Sequence, residues 1–454
     1  MDEQIIHERR IRQSKTLKGE NDRLWNDNPH KKCYKDYFNM IKDLFFKKYK
    51  MKATIKTFPC IDGDCIFMKL YDQSNTDSFH IMIDCGALSE NIIDFICHDL
   101  NLKIDLLIVT HIDKDHIDGI TAMFYEDRLK KLEIGKILYN CHQVYEGKAQ
   151  SLDETIRTQI EMIERLASED IGSKISVKGS VSLASKILEK QELKQVWERN
   201  VIKDTTPDFH LGKKWGKLVF LSPSEDAMKD LYNLFKEEYA GITSEKIPDK
   251  PFERIEEMYE LLIRLDALRT RVFHGQRVKN RDFECGNFIG LDEAILESAY
   301  KTELNENELS KQNKASLAFV WECNGHRVLF LGDAQAHQVV TKLESKLGKG
   351  VLHFDAIKVS HHGSAYNATK ELYNKIDSPM YYLTGGEEGS RPSLEAIAKI
   401  VYKGKTDKKR RVIRYNFKTT LTEELTSEST KDIRDKYNFK LENDNEEDSY
   451  EFKY

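Results

Sequence analysis

Two imidazoles and two carboxylates fall within six residues at His111, Asp113, Asp115 and His116, directly after the apolar run Leu106 to Val109 and shortly before Gly119. A buried strand that ends in a tight turn can converge such groups on one point. Divalent cations take this mixture of nitrogen and oxygen donors. Acids alone would suit a helix N-terminus through the macrodipole, but histidines add nothing there, so the spacing points to metal binding. Three further strand ends carry comparable groups: Gly332 with Asp333, the adjacent His361 and His362 followed by Gly363 and Ser364, and the loop from Gly385 through Arg391, Pro392 and Ser393. A Gly-Asp pair alone describes an ordinary turn. The recurrence of reactive groups at successive strand ends is what marks a site. The last loop is glycine-rich, cationic and leads into a helix at Leu394, which suits a phosphate.

The elements that must hold these groups follow from periodicity. Residues 54–58, 65–71 and 80–84 read as an antiparallel meander closing at Cys85 and Gly86. A helix is expected over 90–101, a buried strand over 106–110, a helix over 117–132 and a strand over 136–139. Residues 217–221 form a strand stopped by Pro223, and 315–321 pairs with 328–331 about the turn Asn324-Gly325. Strands follow at 356–360 and 380–384, then a helix over 394–401. Residues 1–50 read as a helical extension, about 150–200 and 225–312 as helical insertions, and 421–454 as a charged, peripheral C-terminal tail. The fold class is α/β of the α+β kind, with the main domain over 51–420.

Composition narrows the function. The 454 residues are 32% charged and carry 71 basic against 76 acidic side chains, a net charge of −5. That is not the global footprint of a nucleic-acid binder, so any such contact must be local. The one dense basic stretch, Lys403 to Arg411, reads either as a phosphate contact or as a solvated turn. Apolar runs are of strand length, and the first ten residues lack the apolar core of a signal peptide, so a cytoplasmic protein with no membrane span is expected. The eight cysteines form no Cys-x-x-Cys pair and read as free thiols. No Gly-x-Ser-x-Gly elbow supports a serine triad, and no phosphate-loop motif supports ATP hydrolysis.

The succession Gly63-Asp64, Asp84-Cys85-Gly86, His111 to His116, Gly332-Asp333 and Ser360 to Ser364 resembles the metallo-β-lactamase superfamily. More narrowly it resembles the soluble hydrolase domain of ComEC-type competence proteins, over roughly residues 53–415. The resemblance implies an αββα sandwich with a metal site at one edge. Members hydrolyse esters, thioesters, lactams or phosphodiesters, and the ComEC-type branch is associated with DNA degradation. The motif His-x-His-x-Asp-His falls on His111, Asp113, Asp115 and His116, with Asp113 in place of the second histidine. The bridging aspartate falls on Asp333 and the later histidine on His361 or His362, His361 being preferred because it directly follows the strand. One metal site is then Asp115, His116, Asp333 and one of that pair. The other has His111, Asp113 and Asp333 with no evident further histidine, His142 being the fallback. A carboxylate in place of an imidazole hardens the donor set, so one or two divalent ions are expected, zinc or manganese foremost, with magnesium or iron as alternatives. Arg391 stands where ComEC-type domains carry a histidine; it cannot act as an acid at neutral pH but can clamp a phosphate oxygen.

The expected activity is metal-assisted phosphodiester hydrolysis by a nuclease, acting on DNA rather than RNA. Asp115 would orient the nucleophile, while Arg391 and the backbone of Gly363 and Ser364 would hold the non-bridging oxygens. The soluble format with large insertions is compatible with a component of a bacterial antiviral defence system. Two other readings stand beside it. One is a hydrolase of small esters or cyclic nucleotides, favoured by the acidic net charge. The other is a metal-binding scaffold or sensor with reduced catalysis, whose insertions bind a protein partner.

Overall fold

The computed structural model describes residues 51–141 (less 61–62 and 73–76), 183–234 (less 185, 188–189, 199, 213 and 232) and 290–443 (less 386–390). The extension expected over 1–50, His142 and most of both helical insertions lie outside these residues.

The first sheet opens with the meander β1 (Met51–Thr57), β2 (Ile66–Asp72) and β3 (Ser78–Ile83), which β4 (Leu106–Val109) and β5 (Ile137–Tyr139) then join in parallel. β4 is apolar throughout because both of its faces are covered. Leu106 and Ile108 enter one core, Leu107 and Val109 another.

The second sheet contains β6 (Phe209–His210), β7 (Lys217–Ser222), β8 (Ala318–Cys323), β9 (His326–Phe330), β10 (Ala356–Lys358), β11 (Met380–Leu383), β12 (Arg411–Tyr415) and β13 (Phe439–Asn443), neighbours in sheet order as in sequence. Strands β6 to β9 are antiparallel and β9 to β13 parallel. The β8–β9 turn has Asn324 at φ 51° and Gly325 at φ 89°, the left-handed pair that a two-residue hairpin requires.

The inner faces of the sheets share one core, in which Ile55, Met68, Ile81 and Leu106 lie with Phe220, Phe319, Trp321 and Phe330. On the outer face of the first sheet lie α1 (Glu90–Asp94) and α2 (Lys114–Met123), contributing Ile92, Ile117 and Ile120. On the outer face of the second lie α3 (Glu293–Lys301), α4 (Ala336–Leu347) and α5 (Leu394–Val401), contributing Leu296, Val339, Leu343, Ile397 and Ile400. The architecture is mixed α/β, with helices outside two mixed sheets. Among the described residues no helix is long and apolar enough to cross a membrane.

The expected boundaries shift in several places; the helix expected over 90–101, for one, is α1 followed by a π-helical turn over Phe95–Asp99. Helix α2 begins at Lys114, because Asp113 takes the extended N-cap conformation (φ −71°, ψ 147°), and it stops at Met123. Residues 291–301, expected within the second insertion, belong to the outer layer, where Leu291 and α3 pack. Residues 421–443 are not a peripheral tail. They form α6 (Thr420–Thr426), α7 (Lys431–Tyr437) and the edge strand β13, paired in parallel with β12. Leu421, Leu425, Ile433, Tyr437, Phe439 and Leu441 recur at helical and then alternating spacing and are buried, while the charged residues between them face outward.

Candidate metal centre

Parallel strands end at a common edge. β3 ends at Asp84 and β4 at Thr110 and His111; β9, β10 and β11 end at Asp333, at His361 and His362, and at Thr384. The two edges are tied together: the Leu317 amide donates to the Thr110 carbonyl at 2.8 Å, and Asn416 Nδ2 donates to the Phe58 carbonyl at 2.9 Å.

Four imidazoles converge there on one oxygen. Asp333 Oδ2 lies 3.8 Å from His111 Nε2, 3.6 Å from His116 Nε2, 3.6 Å from His361 Nε2 and 3.8 Å from His362 Nε2. Asp113 Oδ2 is 3.6 Å from His111 Nε2, and Asp115 Oδ2 is 3.5 Å from His116 Nε2 and 3.4 Å from His362 Nε2. These separations are too long for hydrogen bonds. Bonds of about 2.0–2.2 Å to a shared ion set neighbouring ligands roughly 3–3.5 Å apart; the Asp115 contacts at 3.4 and 3.5 Å fall in that range, and the Asp113 and Asp333 contacts at 3.6–3.8 Å lie a few tenths of an ångström beyond it. The Nε2 atoms of His111, His116 and His362 and Asp333 Oδ1 are buried without a hydrogen-bond partner. Each such orphan costs about 1–3 kcal/mol unless a ligand satisfies it.

The opposite nitrogens are all engaged, which aims every Nε2 inward. His116 Nδ1 donates to Asp84 Oδ2 at 2.8 Å, and Asp84 also accepts from the Thr110 amide (2.7 Å) and hydroxyl (2.6 Å). His362 Nδ1 donates to the Thr384 carbonyl at 2.8 Å and His361 Nδ1 to Asn367 Oδ1 at 2.9 Å, while His111 Nδ1 lies 3.0 Å from Thr110 Oγ1. Asn367 is itself anchored to the Asp333 and Ala334 carbonyls, each at 3.0 Å. Such outer contacts fix the tautomer and orientation of metal-ligating histidines.

The backbone supporting this cluster is strained. His361 (φ 50°), His362 (φ 55°) and Gly363 (φ 82°) are successive left-handed residues, and Asp84 (φ 56°) is another. Left-handed conformations of non-glycine residues persist where the surroundings over-determine them, and they concentrate at functional sites. The turn sends His362, rather than the preferred His361, to Asp115 and His116. His361 approaches Asp333 from the side of Asn313, whose Nδ2 is 3.2 Å from its Nε2. Gly63 and Gly86 allow the start of α2 to approach: a Cβ on either would lie 1.8 or 2.0 Å from the Asp115 carbonyl oxygen.

A buried salt bridge lies behind the donors, where Lys358 Nζ contacts Asp64 Oδ2 and donates to the Gly332 carbonyl at 3.2 Å. Burial alone would raise the Asp64 carboxyl, but Lys358, then His362 and His116, hold it well below its usual range. Burial likewise opposes ionisation of Asp333 and Asp115, and the surrounding imidazoles override it in both. Against its own burial, His362 is raised to about 9 by Asp64 and Asp333. Burial lowers His361 to about 4 against the pull of Asp333, with Arg391 adding to the fall, so its imidazole is neutral at neutral pH. The carboxylates that draw protons onto these imidazoles are the groups that would favour a bound cation in their place.

The donors open into a cleft of about 550 Å³ that Asp113, Asp115, His361, Ser364 and Arg391 line. The Ser393 amide donates to the Gly363 carbonyl at 2.9 Å, which sets the Arg391–Ser393 turn against the histidine pair. Ser364 does not offer its backbone to a ligand as expected, because its amide donates to the His361 carbonyl at 2.9 Å. The Lys403 to Arg411 stretch is also not a phosphate contact of this site. It precedes β12, at the edge opposite the strand ends that carry the donors, and Arg411 is buried between Asp377 and Asp407. The sequence assigned no roles to Asp64, Asp84, Lys358, Asn313 and Asn367. Asp64 and Asp84 were visible as Gly-Asp and Asp-Cys-Gly turns, whereas the others carry no local signal. The chain matches no protein-family model and no curated protein, so its chemistry is read from this geometry.

Proposed function

We propose that the chain is a divalent-metal-dependent hydrolase of metallo-β-lactamase type, related to the ComEC-type hydrolase domain, that cleaves phosphodiester bonds. The observation that carries this reading is the convergence of four imidazole Nε2 atoms on Asp333 Oδ2, with Asp113 and Asp115 alongside. Two sheets with helices outside them and donors at strand ends support the family likeness. Asp115, His116, Asp333 and His362 would hold one ion; His111, Asp113 and Asp333, with His361 in the place left open, would hold a second. Bound manganese or zinc supplies a Lewis acid and an activated water. Asp115, whose side chain is 32% exposed where that of Asp333 is 2%, is the ligand placed to orient a water entering from the cleft. Arg391 lines the same cleft, and its planar fork can take two non-bridging oxygens and stabilise charge developing on them.

The described walls favour a short phosphodiester or a strand end over a long duplex, because Glu308 shares the rim with Arg391 and the basic turn lies at the far edge. The small-molecule phosphodiesterase reading rests on this. The test is incubation with Mn²⁺, Zn²⁺ or Mg²⁺ and labelled single-stranded DNA, duplex DNA, RNA or a chromogenic phosphodiester, beside an Asp115→Ala, His116→Ala variant. Metal-dependent cleavage that the variant loses supports the reading, and the preferred substrate separates nuclease from small-molecule enzyme. Stoichiometric bound metal with no cleavage of any substrate favours the scaffold reading instead.

A further inference from the structure

A second donor cluster lies beside Asp84, which holds His116, and Asp64, whose Oδ1 is 3.3 Å from His362 Nδ1, and the hydrolytic reading does not use it. Cys60 follows β1, Cys65 immediately precedes β2, and Cys85 follows Asp84; their three Sγ atoms lie within 4.8 Å of one another. All three are free thiols, none more than 3% exposed, in an apolar cluster with Phe58, Phe67 and Met82. Cys60 and Cys85 both direct their Sγ to the Ala87 carbonyl, at 3.3 and 3.5 Å. Helix α2 closes over them only because residue 119 is glycine: a Cβ there would lie 2.5 Å from Cys85 Sγ. Buried cysteines often serve as small apolar filler. Here the β1–β2 connection and the end of β3 place three sulfurs on one another. Hydrogen bonding to Cys65 and then Cys85 holds the Cys60 thiol well below its ordinary range, against its burial.

Sulfur donors select thiophilic ions, and charge discriminates among these. A divalent ion on three thiolates would carry a net negative charge within an apolar cluster and beside Asp64 and Asp84, which is costly. A trivalent metalloid needs no counter-charge and no fourth ligand. As(OH)₃ and three thiols give As(S-Cys)₃ and three waters: three As–O and three S–H bonds give way to three As–S and three O–H bonds, with no change of oxidation state. We propose that Cys60, Cys65 and Cys85 form a three-coordinate thiolate site for a trivalent thiophilic metalloid, taken up as arsenite. Loading would clamp the β1–β2 connection to the end of β3, next to Asp64 and Asp84.

The full-length protein, reduced with a phosphine, is incubated with arsenite, desalted, and read by native mass spectrometry and arsenic-edge X-ray absorption. One arsenic per chain with three sulfur neighbours is expected, lost in Cys60→Ala, Cys65→Ala and Cys85→Ala and kept in Cys323→Ala. Peptide mapping of alkylation in denaturant, where the buried thiols become reactive, gives a readout that needs no variant: arsenite bound beforehand should protect Cys60, Cys65 and Cys85 together. No arsenic on the folded wild-type chain, two-sulfur coordination, or protection of other cysteines would overturn the proposal. None of these readouts depends on hydrolysis, so the result is independent of the function proposed for the histidine centre.

Discussion

Replacing Asp84 by Asn tests whether the outer hydrogen bonds set the protonation of the donors. Asp84 is fully buried and accepts from the Thr110 amide, the Thr110 hydroxyl and His116 Nδ1 at 2.7, 2.6 and 2.8 Å. Asparagine keeps the shape and tolerates the left-handed backbone at φ 56°. One oxygen becomes an NH₂, however, and facing His116 Nδ1 it forces the imidazole proton onto Nε2, aimed at Asp115 and Asp333. The lone pair is then lost to a metal. Changes of this kind cost roughly 10–100-fold in metal affinity, or about 1.4–2.8 kcal/mol. Loss of the charge-assisted bond should also lower stability by about 1.5–3 kcal/mol. Calorimetric titration with Mn²⁺ or Zn²⁺ reads the affinity, and long-range ¹H–¹⁵N spectra read the His116 tautomer. Unchanged affinity and an unchanged tautomer in a folded Asp84→Asn protein would refute the reasoning.

Gly86→Ala puts a Cβ 2.0 Å from the Asp115 backbone oxygen, so the first turn of α2 must move; denaturant melts should show a loss of about 2–4 kcal/mol. Asp118 is raised from 3.8 to about 6, by its burial first and then Asp115, against Lys114. The unfolded chain therefore releases this proton first, and the group's contribution to stability falls as pH rises from about 4 to about 6. Asp118→Asn should match the wild type below that window and exceed it above by about 1 kcal/mol, a figure discounted for its partial exposure, in urea melts with chelator present; no difference between pH 4 and 7 would contradict this. Deleting residues 421–454 removes α6, α7 and β13 and bares β12. The truncated chain should melt earlier or aggregate, and native-like melting would restore the peripheral assignment.

Much of the site was legible because its chemistry is local. His111 to His116 follows a strand that is apolar at every position, and Asp333 and the histidine pair end strands whose boundaries are clear in the sequence. The choice between His361 and His362 was not legible, since it depends on two consecutive left-handed residues that no composition rule demands. Lys358 has only the local signature of a strand interior, yet it neutralises Asp64, nearly three hundred residues earlier in the sequence. The C-terminal segment misled because its charge hides an apolar stripe: Leu421 and Leu425 are four residues apart, and Phe439 and Leu441 two apart, all buried. The Lys403 to Arg411 run stays open in sequence between a phosphate contact and a solvated turn. Its density of charge reflects structural partners, with Lys405 paired to Glu293 and Glu297 and Arg411 to Asp377.

Metal stoichiometry tests the central claim most directly. The wild-type chain and an Asp333→Ala variant would be equilibrated with Mn²⁺ or Zn²⁺, freed of loose ions, and analysed by elemental mass spectrometry, with circular dichroism verifying the fold of each. Because all four imidazoles face the one carboxylate, the account predicts two ions per wild-type chain at saturation and their loss in the folded variant. A wild-type chain that retains no metal, or a variant that retains as much as the wild type, would contradict it.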